Sequence, residues 1–189
     1  IVHPDGQCVF LCYMMLGTNQ SLYFALFFTG RFNLDSGELS LLGGLYSAGM
    51  LLAMAFINPL IRLPSLFASL KLGLALTLIG MALLLIFSPG AGLWLALPIL
   101  LLSVSYGTLK TGLDSALAIY SQGEARSGLY ALTNLLSSLA GMAAASYVSA
   151  RFDSDANALY LACLALGILA AAFVWLAGKR QGEPVREAA

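Results

Sequence analysis

The chain has 189 residues, 60% of them hydrophobic and 10% charged, with no net charge and a mean hydropathy of +0.88. Soluble domains cover their surface with about a quarter charged residues, so this composition excludes a water-soluble globule. Zero net charge and the lack of a basic tract leave nucleic acid without an electrostatic footprint to bind.

The apolar residues come in runs instead of at the 3.6-residue spacing of a half-buried helix, and runs of about 20 match a hydrocarbon core roughly 30 Å thick. Backbone groups in lipid must be bonded within the segment, and a barrel strand needs only about 10 residues, so the runs predict helices. The expected fold class is an all-α integral membrane protein with six transmembrane helices. The expected spans are Cys8–Thr29, Leu39–Ile61, Leu70–Ser88, Leu93–Tyr120, Gly128–Ala150 and Ala158–Gly178. Residues 1–7 read as the end of a cytoplasmic linker, 8–178 as the bundle and 179–189 as a cytoplasmic tail. The connectors "GRFNLDSGE", "RLPS", "SPGAG", "SQGEAR" and "RFDSDAN" are short and rich in turn formers and charge, which makes successive spans antiparallel.

Polar residues are shared unevenly among the spans. The first carries "GTNQS", with Cys12, Met15, Asn19 and Tyr23 on one stripe and Gln20 beside it. The second carries Tyr46, Ser47 and Asn58, and the third only Thr77. The fourth holds Lys110 and Asp114 within "SYGTLKTGLDSALAIY". The fifth has Tyr130, Asn134, Ser138 and Gly141 on a stripe, with Ser137 beside it, and the sixth is almost bare. Polar, intermediate, bare: the pattern occurs twice, as it does when two three-helix repeats each give one helix to a cavity and one to lipid. Gly44 with Ala48 and Gly141 with Ala145 are small-xxx-small pairs expected to let helices approach closely.

With the N-terminus in the cytoplasm, the inner side collects Arg62, Lys71, Arg126, Lys179, Arg180 and Arg186, against Arg31 and Arg151 outside. This bias places both termini in the cytoplasm. Cys8, Cys12 and Cys163 read as buried free thiols and His3 as a solvated side chain, so no metal or cofactor is expected. Because the chain starts at Ile1 instead of Met, it is expected to be a piece of something longer.

At 100° per residue, Ser103, Tyr106, Gly107, Lys110, Asp114, Leu117 and Ser121 share one stripe of the fourth span, opposite a Leu- and Ala-rich side. A charge at mid-bilayer costs on the order of 3 kcal/mol by insertion scales. The expected role of this pair is to face water or substrate, with Asp114 as the candidate proton carrier. The alternative is a self-neutralising pair that snorkels to the inner interface, although Lys before Asp is the weaker i, i+4 order. Asn19, Gln20 and Tyr23 on the first span, and Asn134 and Ser138 on the fifth, are candidate substrate contacts; helix–helix hydrogen bonding is the alternative for both groups.

"GGLYSAGMLLAMAFINPLIRLPSLFASLKLG" and "GEARSGLYALTNLLSSLAG", with six spans and a 3+3 repeat, resemble the C-terminal half of a major facilitator superfamily transporter. In that family a loop bearing proline and basic residues joins the eighth and ninth helices; here it holds Arg62, Pro64 and Lys71. The closest resemblance is to proton-coupled exporters of drugs or metabolites in the bacterial cytoplasmic membrane. It implies a small-molecule substrate, protons as the coupling ion and an N-terminal six-helix half as partner. It also implies that Lys110 and Asp114 bind substrate or form an inner gate if the proton-carrying acids lie in that other half. Motifs of water channels, intramembrane serine proteases and mitochondrial carriers are missing, and no catalytic constellation is present, so an enzyme is not expected. The competing reading is a non-transporting polytopic scaffold or assembly protein whose polar stripes are only helix contacts.

Overall fold

The computed structural model describes residues 23–61, 66–120, 125–151 and 157–182. Among them every regular element is helical and no strand occurs. Helix α1 runs Tyr23–Phe32 and α2 Ser36–Leu52, followed by a π-helical turn Ala53–Ile57 and the short α3, Asn58–Ile61. Helix α4 is Leu66–Ile86; a 3₁₀ turn, Gly92–Leu95, leads into α5, Ala96–Tyr120; α6 is Ala125–Arg151 and α7 Ala158–Gly182. Three stretches are long and apolar enough to cross a membrane: Ser36–Phe56, Ala68–Ile86 and Gly92–Ser115. Helix α7 carries a shorter apolar stretch, Tyr160–Leu176. The chain is a helical membrane protein.

Differences from the expected boundaries have local causes. Helix α2 starts at Ser36 instead of Leu39 because "DSGE" is a capping box. The Asp35 carboxylate accepts the Glu38 N–H at 2.8 Å, and the Glu38 carboxylate accepts the Asp35 N–H at 3.1 Å. Helix α1 runs on to Phe32 and stops at Asn33, whose φ of 59° is the left-handed conformation that Asn tolerates after a helix end. Between α4 and α5 the chain turns at Pro89 and Gly90, where a φ of 90° requires glycine. Pro59 has no N–H to give to the helical ladder. The turn before it slips by one residue, so that the Asn58 N–H reaches the Ala53 carbonyl five residues back.

Helix α5 is the centre of the bundle, with α4 and α2 packed along it and α7 against α4. Glycines make these approaches possible. A Cβ on Gly73 or Gly80 of α4 would stand 2.5 Å from Leu109 Cγ or 2.8 Å from Leu102 Cγ. On the α2 side, a Cβ on Gly107 would stand 2.8 Å from Ala53 Cβ and 3.0 Å from the Met50 carbonyl. Gly44 has nothing within 4 Å of its Cβ position, and Ala48 is exposed, so this expected small pair makes no helix contact among the described residues. Its neighbour Gly49, packed on Ser103, makes the contact instead.

Polar groups pin the same interfaces. The Ser105 hydroxyl donates to the Gly73 carbonyl at 2.7 Å and Thr77 donates to it at 3.0 Å, with the two hydroxyls in contact. This accounts for the single polar residue of α4's apolar run: Thr77 is bonded inside the α4–α5 seam. Arg31, expected as an exposed outer cation, is drawn into the bundle. Its guanidinium donates to Asn157 Oδ1 and to the carbonyls of Leu85 at 2.6 Å and Phe87 at 3.1 Å. The rings of Phe32 and Phe27 lie 5.6 and 6.0 Å from it. Carbonyls at a helix C-terminus have no partner within the helix, and Arg31 fills that role for α4 while tying in α1 and the start of α7. Below it Phe27, Phe28, Leu84, Ile99 and Tyr160 pack with Cys163, a free, buried thiol.

Candidate functional site

Lys110 and Asp114 sit near the end of the Gly92–Ser115 stretch, where α5 is already packed on α4 and α2. The Lys110 ammonium donates to Asp114 Oδ1 at 2.8 Å. Side chains on a helix lean toward its N-terminus, so Lys110 bends against that tendency to reach a residue one turn further on. The two side chains remain 31% and 39% exposed, in a bundle whose neighbouring residues Leu109 and Leu113 are fully buried. An ion pair this open is neither a sealed core pair nor a fully solvated one. Tyr130 of α6 reaches across and donates its hydroxyl to the Asp114 main-chain carbonyl at 3.0 Å.

One turn earlier on α5, Tyr106 is 8% exposed and packs with Leu70, Leu74, Leu109 and Leu113. Its ring centroid lies 6.4 Å from that of Tyr46 on α2. Three tyrosines from three helices therefore stand around the N-terminal side and flank of the charged pair. Ser103, expected on the same open stripe, is buried: its hydroxyl donates to the Leu100 carbonyl at 2.8 Å and its side chain fills the space over Gly49. Its position is a helix contact. Asn134 and Ser138 of α6 are exposed on the side of that helix next to Tyr130. Asn19 and Gln20 lie outside the described residues, as do Cys8, Cys12, His3, Arg62, Pro64 and the tail 183–189; of Tyr23 only the backbone, at the start of α1, falls within them.

A second polar group, not singled out from the sequence, gathers where the π-helical turn meets α5. Asn58 donates to Thr111 Oγ1 at 3.0 Å and to the Gly107 carbonyl at 3.3 Å, and accepts from Thr108 Oγ1 at 3.1 Å. Thr111 also donates to the Gly107 carbonyl, at 2.8 Å. The signal was the dipeptide Asn58-Pro59, because a proline inside an apolar run disrupts the ladder and places polar backbone where a neighbouring side chain must answer it. With all these donors spent on each other, this cluster locks α2 and α3 to α5.

The arrangement thus offers one cation and one anion, half open, with tyrosine on two sides and an exposed amide and hydroxyl on the adjoining helix. Among the described residues no three His, Cys, Asp or Glu side chains converge. Comparison with protein-family models, with curated proteins and with solved structures gives no match.

Proposed function

We propose that the chain is the C-terminal six-span half of a secondary transporter of the major facilitator type. It moves a small organic molecule by alternating access together with an N-terminal half, as proton-coupled efflux across a bacterial cytoplasmic membrane, with both termini in the cytoplasm. The observation that carries this reading is the half-open Lys110–Asp114 pair within a helix apolar enough to cross the bilayer. A charge there is costly, and side chains of this kind in membrane helices line substrate or ion paths. The exposed Asn134 and Ser138 extend the polar surface onto α6.

Two further observations support six spans in two repeats. Helices α6 and α7 have 27 and 25 residues, enough at about 1.5 Å per residue to cross a core of roughly 30 Å. The packing also pairs up under a three-helix shift. The third span lies on the fourth, as α4 on α5, and the sixth meets the first, where Tyr160 of α7 lies 4.1 Å from Phe27 of α1 between ring centroids. Third and sixth, α4 and α7, pack on each other, as a pair beside the repeat axis would.

Alternating access needs two bundles that rock against each other. Reconstituted alone, this chain is expected to give no saturable flux of any organic substrate, whereas the full-length protein does. Saturable uptake by the 189-residue chain by itself would contradict the half-transporter reading. The scaffold reading draws on Ser103 and Asn58, whose polar groups serve helix contacts; it requires that full-length protein give no flux either.

A further inference from the structure

The polar side chains within the bundle fall into two groups. Asn58, Thr77, Ser105 and Arg31 direct their donors to neighbouring helices and hold the fold together. Lys110 and Asp114 bond to each other along one helix and leave about a third of each side chain open. A pair that neutralises only itself contributes nothing to helix packing, and two apolar residues would be simpler to insert.

Resting on the transport reading, we propose that this pair recognises a small zwitterion, an amino-acid-like molecule whose carboxylate pairs with Lys110 and whose ammonium pairs with Asp114. Charge balance makes the selection. A monoanion bound at Lys110 draws that ammonium away from Asp114, and a monocation bound at Asp114 draws the carboxylate away from Lys110. Either leaves a net charge where the dielectric is low and Coulomb energies are large. A neutral ligand makes no use of the charges. A zwitterion adds one charge of each sign and closes a ring of four alternating charges with no net charge left over.

The spacing agrees. The Lys110 nitrogen and the Asp114 oxygen are 2.8 Å apart. In an α-amino acid, backbone bond lengths and angle put the ammonium nitrogen roughly 2.5 Å from the carboxyl carbon. The two pairs can therefore lie antiparallel, each ammonium against the opposite carboxylate. Tyr106, Tyr46 and Tyr130 border the pair with aromatic surface suited to an apolar remainder.

The test uses full-length protein in nanodiscs and three ligands with one skeleton: phenylalanine, phenethylamine and 3-phenylpropionate. Calorimetric titration is expected to give phenylalanine a Kd at least tenfold below either singly charged analogue. The reversed pair, Lys110→Asp with Asp114→Lys, is expected to keep that preference, because a zwitterion can bind the other way round. The neutral pair, Lys110→Met with Asp114→Asn, is expected to fold and to lose it. Equal or tighter binding of the amine or the carboxylate overturns the zwitterion assignment and leaves the transport reading standing. No phenylalanine binding by wild-type protein also overturns the assignment; the transport reading is then decided separately, by water access at Asn134.

Discussion

Replacing Lys110 with alanine is expected to be the most damaging single substitution in α5, and more damaging than Asp114→Asn. The first removes the ammonium that neutralises Asp114 at 2.8 Å and leaves a carboxylate on a short stem within the membrane. The cost is up to about 3 kcal/mol by insertion scales, reduced because Asp114 is partly exposed. The second leaves an ammonium on a four-carbon stem, which can extend to the inner interface. Because Tyr130 bonds the main-chain carbonyl of Asp114, the contact between α5 and α6 survives in both variants. Membrane-inserted protein, measured by fluorescence-detected size exclusion, is expected to fall severalfold for Lys110→Ala and little for Asp114→Asn. The double neutral variant is expected to recover expression without recovering transport. Equal yields for both single variants would show that the pair contributes no charge neutralisation.

The second large effect is expected at Gly107. Its Cβ position faces Ala53 Cβ at 2.8 Å and the Met50 carbonyl at 3.0 Å, and neither can rotate away. Gly→Ala in a helix gains up to about 1 kcal/mol in propensity, whereas forcing extra volume into a packed contact costs roughly 1–3 kcal/mol. Overpacking wins, and Gly107→Val is expected to be worse still. The displacement also pulls the Gly107 carbonyl away from Asn58 and Thr111, which both donate to it. Gly44→Ala is the control: with nothing within 4 Å, only the propensity gain remains. Unfolding midpoints in detergent should therefore fall for Gly107→Ala and hold or rise for Gly44→Ala. A Gly107→Ala protein as stable as wild type would show that α2 and α5 do not touch at this point.

Hydropathy reveals helices because a bilayer leaves the chain few alternatives: α4, α5, α6 and α7 lie within a few residues of the runs that predicted them. It also reveals Lys110 and Asp114, since charge stands out against an apolar background. What it cannot give is which face of a helix meets which neighbour. In lipid the outward face is as apolar as the inward one, so Gly44 and Gly107 look alike in the sequence although only one is in contact. The same ambiguity hid the difference between Ser103, buried on Gly49, and Ser138, exposed on α6. Arg31 was misjudged for a related reason. Counting basic residues assigns a side of the membrane, whereas the carbonyls of Leu85 and Phe87 that Arg31 fills come from a helix end more than fifty residues away. The slip at Ala53–Ile57 was more legible, because Pro59 announces a missing donor.

The central claim is that the polar side of α5 and α6 opens in turn to the two sides of the membrane. Its most direct measurement is the reaction of an Asn134→Cys variant of the full-length protein, with the native cysteines replaced, toward a membrane-impermeant maleimide. The reagent is added to right-side-out and to inside-out vesicles, and Ile168→Cys, at an exposed apolar position of α7, serves as the lipid-facing control. The account predicts that Asn134→Cys is labelled from both sides, at rates that substrate shifts in opposite directions, and that Ile168→Cys is labelled from neither. Labelling of Asn134→Cys from neither side, or from one side only whatever the substrate, would contradict alternating access through this surface.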